Sequence, residues 1–300
     1  MRFSLWINNS QSWDEILATA QHASASDWDG VWVADHFMPN AEDVSTDMHE
    51  AWSLVAGLSA AVERVRIGVL VSGNTYRHPA VLAKAAATAD HISGGRIVLG
   101  LGAGWQENEH EKYGIDFATL KGRMDRLEEA CQIITRLFTE ERVDFAGEHY
   151  TLTDAPLEPK PVQAPLPLLI GGGGEKRTMR IAATYAQEWN VWGTPEVLAR
   201  KNAVLDQHCA DIGRDPAEIT RSSQGLVFLF DDEAKATEMR SREVGRPMLV
   251  GTPEQLVEIV AAYRDAGVDE LIVPDWNFPQ GEAKRELMDT FITQVAAELR

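Results

Sequence analysis

The chain has 300 residues, 44% of them apolar, which is enough to bury one large core. Its 46 acidic and 28 basic residues give a formal charge of −18, a field that opposes nonspecific contact with nucleic acid or an anionic membrane. Small molecules are the expected partners, and an anionic one needs local positive charge to overcome that field.

A short apolar run, a loop and an amphipathic helix recur about eight times, the rhythm of parallel strands joined by crossover helices. Strands are predicted at about 2–7, 30–35, 65–71, 96–101, 166–170, 188–192, 222–229 and 269–274. Several are nearly continuous in Val, Ile and Leu, as in VRIGVLV from Val65 to Val71, which suits strands covered on both faces. The expected fold is a (β/α)8 TIM barrel spanning 1–300 as one domain, with an open doubly wound sheet as the alternative. Helix starts are well marked. Ser12 with Glu15 and Thr252 with Gln255 match capping boxes, and Pro195 and Pro253 stand at first helical positions. Leu287, Phe291, Val295 and Leu299 form the core stripe of a last helix. Two stretches break the rhythm: 140–165 reads as a hairpin excursion before strand five, and 230–250 as a charged surface segment before helix seven. No run approaches the roughly 18 apolar residues of a membrane helix, and Met1 leads into a strand-like segment in place of a signal peptide, so a cytoplasmic protein is expected. Cys131 and Cys209 sit in helical patterns and suggest neither a disulfide framework nor a metal cage.

In a barrel of this kind the functional residues lie at the carboxyl ends of strands. Strand two ends in Asp35-His36-Phe37, strand three in Ser72-Gly73-Asn74, strand four in GLGAGW from Gly100 to Trp105, and strand five in Gly171-Gly172-Gly173-Gly174. The four glycines precede Glu175-Lys176-Arg177-Thr178 and a helix, so their amides can converge with the helix dipole on a phosphate, with Lys176 and Arg177 adding charge. GLGAGW follows the wrong strand and lacks the spacing of a dinucleotide fingerprint; it serves a tight turn or a flat ligand equally well. His36 at a strand end can move a proton near neutral pH. Trp105, Trp192 and Trp276 can wall a pocket for an aromatic ring or simply pack the rim.

The segments VWVADHF at 31–37, NTYRHPAVLAKAAATADHISGGRIVLGLGAGW at 74–105, IGGGGEKRT at 170–178 and GTPEQLVEIVAAYRDAGVDELIV at 251–273 resemble the luciferase-like monooxygenase superfamily, and within it the branch that uses the deazaflavin coenzyme F-420. The resemblance implies an oxidoreductase passing hydride between the deazaflavin and a small organic substrate. His36 would transfer the proton and Asp35 would touch the cofactor. It implies a cis peptide at Val69–Leu70 with Ser72 beyond it, ring or chain contacts from Ala103, Gly104 and Asn108, and a phosphate held by Gly173, Gly174, Lys176 and Arg177. In the family's sugar-phosphate dehydrogenases an acidic residue stands where this chain has Trp105, and a pocket tryptophan where it has Asn40, so glucose-6-phosphate dehydrogenation is not implied. The family's usual Asp-Gly is Gln187-Glu188 here, which leaves the turn into strand six open. The alternatives are an FMN-dependent monooxygenase and a non-catalytic flavin-binding protein on the same scaffold. The family often forms homodimers through barrel helices.

Overall fold

The computed structural model describes residues 1–300. In chain order its strands are β1 (Arg2–Ile7), β2 (Gly30–Val33), β3 (Arg66–Val69), β4 (Ser72–Gly73), β5 (Ile97–Gly102), β6 (Val143–Ala146), β7 (Thr151–Ala155), β8 (Leu168–Gly171), β9 (Glu188–Asn190), β10 (Thr220–Gln224), β11 (Leu226–Leu229), β12 (Met248–Gly251) and β13 (Glu270–Pro274). The helices are α1 (Trp13–Ala25), α2 (Ala51–Ala61), α3 (Pro79–Ser93), α4 (Glu107–Tyr113), α5 (Leu120–Thr139), α6 (Thr178–Tyr185), α7 (Pro195–Asp211), α8 (Glu233–Arg240), α9 (Pro253–Asp265) and α10 (Glu282–Gln294). The main sheet runs β3-β2-β1-β13-β10-β9-β8-β5-β4, and a further β3–β5 pairing closes it. Because β3 and β4 are two pieces of one barrel position, the result is an eight-stranded parallel (β/α)8 barrel, as the apolar rhythm predicts.

Capping bears out the predicted helix starts where the chemistry allows. Thr252 and Gln255 make the full reciprocal box, whereas Ser12 accepts from Glu15 N without the return bond. Phe291, Val295 and Leu299 are buried, although a short 3-10 turn replaces α-helix after Gln294. Both cysteines are buried free thiols, and no helix is long and apolar enough to cross a membrane.

The predicted strand at 222–229 is two strands. β10 stays in the barrel, and the chain breaks at Gly225, where an added Cβ would fall 2.1 Å from Leu249 Cδ1. β11 then leaves to pair in parallel with β12. The stretch 230–250 is therefore α8 followed by β12, not only a surface segment. The excursion at 140–165 holds the expected antiparallel hairpin, β6 with β7.

The barrel interior is filled in layers. At the amino ends of the strands Arg66 reaches Glu188 and bonds Glu270 at 3.1 Å, while Ser4 and Trp32 also donate to Glu270. This ion cluster is where Gln187-Glu188 enters the fold. Above it Trp6, Trp32, Leu70, Val98, Leu169 and Ile272 form an apolar plug. The plug is the floor of a cavity at the carboxyl ends, where a barrel keeps its chemistry.

Candidate active site

The cavity has a volume of about 630 Å3 and two unlike walls. On one side Gly73, Gly102, Gly104, Gly171, Gly172 and Gly173 present bare backbone beside Leu70, Val71, Ser72 and Ala103. Side chains cannot be added there. A Cβ at Gly100, just beneath, would lie 2.0 Å from Val69 O, and one at Gly171 would lie 2.8 Å from Val71 Cγ1. On the other side Trp6, Trp192 and Trp276 cluster with ring centroids 4.9 to 6.1 Å apart. Trp105 stands at the mouth, edge-on to His36 at 5.4 Å.

The cis peptide is at Leu70–Val71, one residue later than expected. The ladder explains the shift: Val69 still pairs with Val33, and Leu70 N still donates to Val33 O at 2.8 Å, so the strand keeps its register through Leu70. Val69 is consequently buried below the cavity, while Leu70 and Ser72 line it.

Two charged assemblies hold the β2 end in place. In the first, the buried Glu109 of α4 accepts from Phe37 N at 2.7 Å, from Met38 N at 3.2 Å and from the Tyr76 hydroxyl, and lies 3.3 Å from His36 Nδ1. Burial pushes the Glu109 carboxyl up, but hydrogen bonds from His36, Tyr76 and Phe37 N–H outweigh it and hold it below the usual carboxylate range. Burial, the bond to Glu109 and that negative charge raise the Tyr76 phenol, which stays protonated. An ionised carboxylate only accepts, so Nδ1 carries the proton and His36 Nε2, which has no partner in the protein, is left to the cavity.

In the second assembly, Arg77 makes paired bonds to Asp35 of 2.6 and 2.9 Å, and Gly73 N donates to the same carboxylate at 3.0 Å. Arg77 also bonds Glu50, whose side chain caps α2 at Trp52 N and Ser53 N. Burial opposes the guanidinium charge, and the bonds to Asp35 with the charges of Asp35 and Glu50 more than restore it. Asp35 thus lines the cavity with its acceptors already engaged, and it serves to fix strand three's end to strand two's.

The loop after β8 leaves a run of backbone donors unused. From Gly173 to Arg177 five successive backbone N–H groups donate to no protein acceptor, and they sit ahead of α6 with its dipole. Gly172 takes φ +128°, which favours glycine, and turns the chain into this loop. Lys201 of α7 donates to Gly173 O at 2.7 Å and brings an ammonium that the sequence did not single out. Gly171, Gly172, Gly173 and Thr178 line the cavity, whereas Gly174 and Lys176 do not. Arg177 is turned away onto Asp125 at 2.7 Å and Glu128 at 3.2 Å, and Asn108 onto Pro39 O at 3.0 Å.

Of the residues expected at the site, the structure gathers Asp35, His36, Leu70, Ser72, Ala103, Gly104, Gly171, Gly172, Gly173 and the three rim tryptophans around one cavity. Trp6, Tyr76 and Arg246 also line it, and Arg77, Glu109 and Lys201 stand behind its walls, without having been singled out in the sequence. Tyr76 and Arg77 follow the strand-three break and could have been flagged there. Glu109 sits in the run ENEHEK, where neighbouring acids hide it.

The chain is 36% identical over 175 residues to the F420-dependent glucose-6-phosphate dehydrogenase of Amycolatopsis mediterranei (strain U-32), a match covering 57% of this chain and 50% of that protein. Against this relative the chain spans about half the length. A protein of the same name from Intrasporangium calvum is 35% identical over 327 residues, with 95% of each chain covered. Among solved structures, the coenzyme F420-dependent tetrahydromethanopterin reductase of Methanopyrus kandleri superposes with a TM-score of 0.85 at 16% identity, covering 100% of this chain and 99% of that one, which establishes the fold. The family model described as luciferase-like monooxygenase matches residues 1–247, and the chain belongs to that family.

Proposed function

We propose that this protein is an oxidoreductase that transfers a hydride between the deazaflavin coenzyme F-420 and a small organic substrate, with His36 moving the accompanying proton. The observation that carries the reading is the position of His36, between the glycine wall and the tryptophan wall, with Nδ1 tied to an ionised Glu109 and Nε2 free.

The residues fit the cofactor. A flat ring needs backbone approach without Cβ atoms, which Gly73, Gly102 and Gly171 provide, and a phosphate needs convergent donors, which the free N–H groups of Gly173 to Arg177 supply. When bound, the deazaflavin supplies the carbon that accepts or gives the hydride. The chain's own residues do the rest. Leu70, Val71 and Ser72 support one side, the tryptophans shield the opposite side from water, and His36 Nε2 removes a proton from a substrate hydroxyl or returns it. Glu109 holds the imidazole in the tautomer this requires. The relatives from Amycolatopsis mediterranei and Intrasporangium calvum are F420-dependent dehydrogenases, which favours the deazaflavin over FMN. Their sugar-phosphate substrate does not carry over on the residues at hand. Trp105 and the aromatic wall offer few polar partners for a sugar.

The test uses oxidised coenzyme F-420 and a panel of alcohols and hydroxy acids, with turnover read as loss of deazaflavin absorbance. His36→Ala is expected to lower kcat by about 10²- to 10⁴-fold while the cofactor Kd stays within about threefold. An unchanged kcat removes the proton role.

A further inference from the structure

We infer that the substrate is an apolar, ring-bearing carboxylate, its body against Trp6, Trp192 and Trp276 and its carboxylate on Arg246; the inference rests on the deazaflavin reading of the site and names the class of its second ligand.

Arg246 lines the cavity with its guanidinium carbon 4.9 Å from the Trp192 ring centroid. It is the one arginine of the chain that makes neither a hydrogen bond nor an ion pair, and Arg64, Arg96 and Arg123, which lack carboxylate partners, are still spent on backbone carbonyls. In a protein with 46 acidic and 28 basic residues, a guanidinium without an acid at a cavity mouth is a cation kept for something else. The chain next to it is anchored: Leu226 N donates to Pro247 O at 3.0 Å at the start of β12. The indole contact uses none of the guanidinium N–H groups, which stay available to meet a carboxylate in the plane.

The partition of the cavity assigns this cation to the substrate. The run of unused backbone donors belongs to the glycine wall, on β8 and α6, and already provides five amides. The tryptophan wall, on β9, β13 and β1, carries Arg246. One planar fork suits a singly charged carboxylate, which it meets with two parallel N–H bonds. The three indoles, meeting at 4.9 to 6.1 Å, form an apolar surface for a ring or a stiff hydrocarbon body.

The experiment is calorimetric titration of the protein, first with coenzyme F-420 and then, in the loaded protein, with 2-naphthoate and with 2-naphthalenemethanol, a neutral probe of the same size. Naphthoate is expected to bind at least tenfold more tightly than the alcohol. Arg246→Gln is expected to bring the two within twofold and to leave the F-420 Kd unchanged, while Arg246→Lys keeps part of the preference. Equal affinities in the parent, a preference that survives Arg246→Gln, or binding of neither probe overturns the inference and leaves the cofactor reading standing. A tenfold loss of F-420 affinity in Arg246→Gln also overturns it, by giving the arginine to the cofactor. Failure of F-420 itself to bind overturns the deazaflavin reading, and this inference falls with it.

Discussion

Replacing Glu109 with glutamine isolates the charge that organises the β2 end. The side chain is fully buried and accepts from Phe37 N, Met38 N, His36 Nδ1 and the Tyr76 hydroxyl. Glutamine keeps the shape and one acceptor oxygen, so both backbone donors can stay bonded while an amide nitrogen turns toward the phenol and imidazole. Two bonds to a charged acceptor, each contributing about 1.5–3 kcal/mol, give way to neutral ones of about 0.5–1.5 kcal/mol. The expected loss at neutral pH is therefore about 2–3 kcal/mol, or a fall in Tm of about 5 °C. The pH dependence supplies the sign. The folded carboxyl lies below its ordinary value, so its contribution is complete above the normal carboxylate range and disappears as pH falls through the lowered folded value. Urea unfolding at pH 7 and in the acid range below about pH 4 checks both parts. The parent should exceed the variant by the stated amount at pH 7, and the gap should close in acid. Equal midpoints at pH 7, or a gap that ignores pH, would refute the argument.

Three further outcomes follow from buried charge. Lys284 is fully buried between Asp275 at 3.1 Å and Glu15 at 3.1 Å, so Lys284→Met should cost about 3–5 kcal/mol by leaving Asp275 uncompensated, and adding Asp275→Asn should recover part of it. Calorimetric melts decide this; a single variant as stable as the parent contradicts it. In the barrel floor, burial pushes the Glu188 carboxyl up, Arg66 opposes, and Glu270 reinforces the rise. Ionised Glu188 therefore weighs against the fold at neutral pH, and stability gains as pH falls through the raised value, so Glu188→Gln should stay within about 1 kcal/mol of the parent at pH 7 and flatten the acid limb. Arg66→Met, which leaves Glu188 and Glu270 without that guanidinium, should cost about 3–5 kcal/mol in the same denaturant assay, and a smaller loss than for Glu188→Gln would contradict the reading.

The fold was legible because its signals are local and repeated. Apolar runs such as Val65–Val71 and caps such as Thr252 with Gln255 each carry their own physics. Register and partner choice are not local. The cis bond lies at Leu70–Val71, just past the point where the β2 ladder ends with Leu70 N on Val33 O, and Gly225 divides a continuous apolar run because Leu249, far along the chain, occupies the space a side chain would need. At the site, His36 and the glycines stood out by residue type at strand ends. Glu109, Arg77 and Lys201 did not, since a buried acid or base is spelled like a surface one until the fold brings its partner. The same blindness placed Arg177 and Asn108 on the cofactor, when Asp125, Glu128 and the Pro39 carbonyl claim them.

The most direct test of the central claim is a titration of the purified protein with coenzyme F-420 and, separately, with FMN, read by quenching of the tryptophans at the cavity, Trp6, Trp105, Trp192 and Trp276. Tighter binding of the deazaflavin is the expected result and supports hydride transfer. Tighter binding of FMN would contradict it and favour an oxygen-inserting enzyme on this scaffold.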